Sequence, residues 1–113
     1  MAIVIVKGKL TKKDFGRARE DYRGYIKITI DIVRGLDVLG GEYHADAEEL
    51  LLREGSRQED IWGGGVNLET GEFEVNAIIN IRPKVNSSSE ILDPGIREKF
   101  LILARGVLKG YVG

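Results

Sequence analysis

His44 is the chain's one histidine, and Asp46 and Glu48 follow it at alternate positions. Imidazole with two carboxylates suits zinc, iron or manganese, and it suits proton transfer equally, since imidazole titrates near neutrality. On a strand the three side chains would share a face; on a helix His44 and Glu48 would lie one turn apart. A purely structural role competes with both uses: Asp46 caps a helix, Glu48 is solvated and His44 bonds a neighbouring backbone group or carboxylate. There is no second histidine to complete a two- or three-histidine centre. His44, Asp46 and Glu48 are therefore the metal candidates, and the sequence requires no cofactor.

A second polar group lies later in the chain. Asn76, Asn80 and Arg82 are separated by even numbers of positions, so on a strand they would line one side and offer amides and a guanidinium to a carboxylate or phosphate. Trp62 is either a ligand platform or a core anchor. The run Gly63-Gly64-Gly65 lacks the lysine and glycine spacing of nucleotide loops and precedes a strand, which favours a bulge or close packing against Trp62. Ser87-Ser88-Ser89 has no adjacent base. His44, Asp46, Glu48, Trp62, Asn80 and Arg82 together make up the candidate polar patch.

The elements that must position these residues follow from pattern. Ile3 to Val6 is a short β-branched strand, and Thr11 caps a helix carrying Phe15, Ala18 and Tyr22. Tyr25 to Val33 alternates, with Ile26, Ile28, Ile30 and Ile32 on one face, and Arg34-Gly35 either turns it into a hairpin strand over Leu36 to Leu39 or leads into a helix there, since so short a run suits both. After Gly40-Gly41 a helix is expected from Asp46 to Glu54, with Asp46 as N-cap and Gly55 beyond its end. Ile61 to Leu68 and Phe73 to Ile81 form a second hairpin around Glu69 to Glu72, with Pro83 ending the return strand. Asp93-Pro94 opens a last helix bearing Ile96, Phe100, Leu103 and Val107 and running to Gly110. These elements predict one α+β domain over residues 1–113: a mainly antiparallel sheet of four or five strands built from two hairpins, with two or three helices packed on one face.

Composition narrows the function classes. The 113 residues contain no cysteine, which excludes disulfides, thiol nucleophiles and thiolate-held metal centres. No apolar run reaches the roughly 20 residues that span a bilayer, and the opening stretch is too short for a signal peptide, so a cytoplasmic, membrane-free protein is expected. Abundant charged residues, isoleucine and valine lean toward a thermophilic source. The net charge of −1 divides into +5 over residues 1–27, −9 over 28–74 and +3 over 75–113. That division suits pairing between segments or self-association, while the near-neutral total lacks the basic footprint of nucleic-acid binders.

Four blocks carry a family likeness. Gly40-Gly41-Glu42-Tyr43-His44-Ala45-Asp46-Ala47-Glu48, Gly55-Ser56-Arg57-Gln58-Glu59-Asp60-Ile61-Trp62-Gly63, Ile79-Asn80-Ile81-Arg82-Pro83 and Asp93-Pro94-Gly95-Ile96-Arg97 resemble the signature blocks of a small prokaryotic family of unknown function. The resemblance spans Tyr25 to the C-terminus and implies no activity. It departs from the family pattern at Gly64-Gly65-Val66-Asn67, where a longer polar segment is usual. Two functional expectations result. The first is a non-enzymatic binding or interaction module that self-associates or takes a protein partner; the alternative is a small metal-dependent hydrolase using His44, Asp46 and Glu48, with Arg82 orienting an anionic substrate.

Overall fold

The computed structural model describes residues 2–112; Met1 and Gly113, the ends of the expected domain, lie outside them. Five strands, β1 (Ile3–Val6), β2 (Tyr25–Asp31), β3 (Leu36–Gly40), β4 (Ile61–Asn67) and β5 (Phe73–Glu74), form one antiparallel sheet in the order β1-β3-β2-β4-β5. Three helices, α1 (Lys12–Ala18), α2 (His44–Arg53) and α3 (Pro94–Val107), complete an α+β fold. The expected class, antiparallel sheet and two hairpins are all present.

The period-two alternation of β2 decides how the layers stack. Ile26, Ile28 and Ile30 are fully buried on one face, where they meet Val4, Val6, Leu39, Trp62 and Val66 together with Ala18 of α1 and Phe100 and Ala104 of α3. The intervening residues point to the opposite face, where Val38 and Ile61 pack against Ala47 and Leu51 of α2. The helices, expected on one face, thus divide between two. The reason lies in β3 and β4: Val38 and Leu39 are adjacent and both buried, as are Ile61 and Trp62, so each strand carries apolar groups on both sides that water must not reach. Each fully buried aliphatic side chain contributes roughly 1.5–3 kcal/mol.

The local signals are mostly where the residues put them. The Thr11 side chain accepts from the Asp14 N–H, and Asp93 accepts from the amides of Gly95 and Ile96 with Pro94 in the first turn of α3. That helix ends at Val107, short of Gly110. β2 stops at Asp31 and not at Val33, because the Asp31 carboxylate takes the Val33 and Arg34 amides, 3.0 Å each, and turns the chain. Ser56 donates to the same carboxylate at 2.6 Å, tying the hairpin to the chain beyond α2.

Two boundaries differ in ways that matter for the site. α2 begins at His44, with Tyr43 as an N-cap that makes no side-chain hydrogen bond, so Asp46 lies inside the first turn and is not the cap. Gly40 and Gly41, at φ +88° and +89°, swing the chain off β3 early enough for this. The return strand expected from Phe73 to Ile81 keeps only Phe73–Glu74, followed by a 3-10 turn at Ile78–Asn80. Asn80 is drawn inward there while Ile78, at 81% exposed, is turned out, which breaks the alternation.

Candidate functional site

The glycine triplet forms the floor of the site. β4 pairs with β2 residue for residue from Ile61 to Asn67, with no bulge. The triplet serves close approach on both faces instead. A β-carbon on Gly63 would stand 2.7 Å from the Ala77 Cβ and 3.0 Å from the His44 ring; one on Gly64 would run into the Glu74 carbonyl and the Phe100 ring; one on Gly65 would occupy the place of the Tyr25 hydroxyl. His44 and Tyr25 can lie on bare backbone because these side chains are missing. The close packing expected against Trp62 is made by these other residues.

Above that floor opens a cleft of about 580 Å³, with His44 at the start of α2 on one side and Ala77 to Ile79 on the other. Register puts Tyr25, Lys27, Gly65 and Glu74 on this face, since Lys27 pairs with Gly65 and Gly65 with Glu74. The His44 Nε2–H donates to the Gly64 carbonyl at 2.7 Å. A carbonyl only accepts, so this bond fixes the neutral tautomer and leaves Nδ1 unprotonated. Burial pushes the His44 pKa down to about 4, partly opposed by the bond to Gly64, with Lys27 adding a further lowering charge. The ring is neutral at physiological pH. The Tyr25 hydroxyl donates to Glu74 at 3.2 Å, and burial, then the Glu74 charge, hold it protonated well above the usual phenol range.

The six residues of the sequence-derived patch separate into distinct places. Only His44 lines the cleft. Asp46, two positions along α2, projects to a different side of the helix from His44, and among the described residues no three His, Asp or Glu side chains converge to hold a metal ion. The metal cluster anticipated for His44, Asp46 and Glu48 does not form. Asn80 is fully buried: its side chain accepts from the Gly63 N–H and donates to the carbonyls of Gly63 and Ser89. Arg82 lies 4.1 Å over the Trp62 ring and donates to the Glu59 and Ile61 carbonyls; burial lowers its pKa from the ordinary guanidinium value, partly opposed by the charges of Glu48 and Asp60. Glu48 in turn is raised by burial and lowered by Arg82. Asn80 and Arg82 therefore seal the open edge of β4 where no fifth-strand partner runs. Asn76 is at the cleft, where it accepts from the Ser89 hydroxyl.

Tyr25, Lys27, Tyr43, Glu74 and Ile78 were not singled out by their types. One signal pointed to the first two: they alternate with the isoleucines of β2, so they had to project from the face opposite the core, across from a strand without side chains. Glu74 and Ile78 gave none: Glu74 is placed by the register of a two-residue strand against Gly65, and Ile78 by the turn after β5.

The blocks that drew attention in the sequence thus divide into a cleft wall, around His44, and edge and turn fasteners, around Ser56, Asn80 and Arg82. No curated protein and no solved structure matches the chain. A family model does match, and it runs upstream of the blocks to take in β1 and α1: the chain belongs to the family described as Protein of unknown function (DUF5674), over residues 4–106.

Proposed function

We propose that the protein is a non-enzymatic binding module whose ligand site is the cleft beside His44. The observation that carries this reading is the combination of an apolar wall, Ala77 to Ile79, with a few polar groups facing it on a floor of bare backbone. A concave, largely apolar site of roughly 300–1,000 Å³ with sparse, fixed polar groups is the usual form of a small-molecule site. The polar groups suit recognition more than reaction. His44 is fastened through Nε2 and is a weak base, the Tyr25 proton is committed to Glu74, and the Ser89 hydroxyl is committed to Asn76.

The test is a ligand-observed NMR screen of a small-molecule library against the wild type and Ala45→Trp. Ala45 is exposed on the first turn of α2 at the cleft mouth, so an indole there obstructs the cleft without entering the core. Compounds that bind the wild type and are lost in the variant support the reading; a set of binders indifferent to the substitution sinks it.

Self-association is a second reading, favoured by one observation: among the described residues β1 pairs only with β3, which leaves the outer edge of Ile3–Val6 without a strand partner there. Sedimentation over a wide concentration range tests it, and a mass that stays monomeric throughout removes it.

A further inference from the structure

Lys27 and Glu74 flank Gly65 on the cleft face, one on each neighbouring strand. Their charges are not spent on each other. Glu74 accepts from the Tyr25 hydroxyl, whereas the Lys27 ammonium lies 5.2 Å from the centre of the Tyr22 ring and 5.8 Å from that of Tyr25. Among the described residues no carboxylate stands within ion-pair distance of it. Two aromatic faces hold an ammonium in place but compensate only part of the hydration it gives up, so the half-buried Lys27 retains its capacity for an anion.

Other features of the cleft agree on the sign and the shape of a partner. His44 and Ala45 line it as the first residues of α2, and their amides have no intrahelical acceptor, adding partial positive charge on the side of Lys27. Glu74, across Gly65 from Lys27, disfavours negative charge on its own side of that residue. A single ammonium without a guanidinium matches a monoanion better than a doubly charged phosphate, which calls for more than one cation or a bidentate arginine. Against these polar groups stand Ala77, Ile78 and Ile79, with Ile78 presenting most of its surface to solvent.

We infer that the cleft takes a small amphipathic carboxylate, its head paired with Lys27 and its hydrocarbon part laid on Ala77, Ile78 and Ile79. This assignment rests on the cleft being the binding site proposed above. The volume accommodates a small molecule, and Ile78 gains the apolar cover it lacks in the free protein.

Three probes of matched shape test it: 4-methylpentanoate, 4-methylpentanamide and 3-methylbutylammonium, titrated at low salt into the wild type, Lys27→Met and Lys27→Arg while amide resonances are followed. The carboxylate is expected to move the amides of Tyr43 to Ala45 and Ala77 to Ile79, and to bind about fivefold more tightly than the amide, near the upper end of what a partly exposed ion pair is worth. Lys27→Met should bring the acid down to the affinity of the amide, whose own binding reports that the variant is folded and its cleft intact; Lys27→Arg should keep the preference. If the amide or the ammonium binds the wild-type cleft as well as the acid, or if the preference survives Lys27→Met, the carboxylate assignment is overturned and the cleft remains a binding site. If no probe moves the cleft resonances at any soluble concentration, both readings fail.

Discussion

The Asn80 side chain stands to Gly63 as a neighbouring strand would: it accepts from the Gly63 N–H at 2.8 Å and donates to the Gly63 carbonyl at 2.9 Å. The same carboxamide reaches the Ser89 carbonyl at 2.9 Å, and the Asn80 backbone carbonyl accepts from Asn86, which organises the following loop. One side chain thus closes the edge of β4 beside the cleft, where the backbone after β5 has turned away.

Asn80→Ala should therefore destabilise the protein by about 3 kcal/mol, since it leaves the buried N–H and carbonyl of Gly63 without partners, while the Ser89 carbonyl keeps its bond from the Ala77 N–H. Asn80→Asp should cost more at neutral pH, because a carboxylate cannot donate to the carbonyls that the amide serves and would be a buried charge with no counter-ion. Urea denaturation of both variants checks the ranking; an aspartate variant as stable as wild type would remove the edge-sealing role.

The glycine triplet gives a graded expectation. An alanine methyl at Gly64 meets the Glu74 backbone carbonyl, which cannot move without unpairing β5, so Gly64→Ala should cost several kcal/mol or prevent folding. At Gly65 the obstacle is the end of the Tyr25 side chain, which can rotate away. Gly65→Ala should fold with a smaller loss, with Tyr25 displaced, its bond to Glu74 broken and its phenol pKa returned toward about 10. Thermal unfolding with ultraviolet titration of the tyrosines separates the two cases.

Two buried groups should make stability depend on pH in opposite senses. The folded-state pKa of His44 is depressed to about 4 by burial. Between there and its unfolded value of about 6.5 the unfolded chain holds the extra proton, so this group's contribution rises with pH and is lost on acidification. Burial raises Asp37, whose Oδ1 has no hydrogen-bond partner, to about 7. Between its unfolded value of about 3.9 and that point the folded chain holds the extra proton, so its contribution is present in acid and falls as pH rises. His44→Gln should unmask the falling contribution of Asp37, and Asp37→Asn the rising contribution of His44. Denaturation midpoints at a series of pH values from mildly acid to mildly alkaline check this; parallel curves for both variants and the wild type would contradict it.

How much of this was readable beforehand depended on whether the signal was local. Alternation in β2, the Thr11 and Asp93 caps and the Gly35 turn are written in neighbouring residues, and the fold class follows from them. The division of helices between two faces was legible in principle from the paired burial demands of Val38-Leu39 and Ile61-Trp62, but short apolar runs also suit one-sided packing. The site was less accessible. Asn80 and Arg82 were marked by the amide and guanidinium they could offer to an anionic ligand, yet their partners are backbone groups on and beside β4, and no side-chain type announces a backbone partner. His44 was marked by its chemistry, while Lys27 and Glu74 are brought beside it by register alone, through a glycine that carries no side chain to advertise the contact.

The Arg82 guanidinium over Trp62 offers a direct optical test of the sealed edge, because Trp62 is the chain's single tryptophan. It is 2% exposed, its Nε1 has no hydrogen-bond partner, and the guanidinium covers its ring while donating to the carbonyls of Glu59 and Ile61. Arg82→Ala would remove the cation from the ring, leave those carbonyls to water and free Glu48 from the charge that lowers its pKa. A loss of about 2 kcal/mol is expected, the sum of a desolvated cation–π contact and charge-assisted bonds discounted for partial exposure. Tryptophan emission should shift to longer wavelength as water reaches the indole. Arg82→Lys should recover little of either, since an ammonium is a compact point charge that cannot both lie flat on the ring and reach two carbonyls. If lysine restores both the emission and the stability, Arg82 acts through its charge alone, and the planar contact with Trp62 contributes nothing to closing the edge.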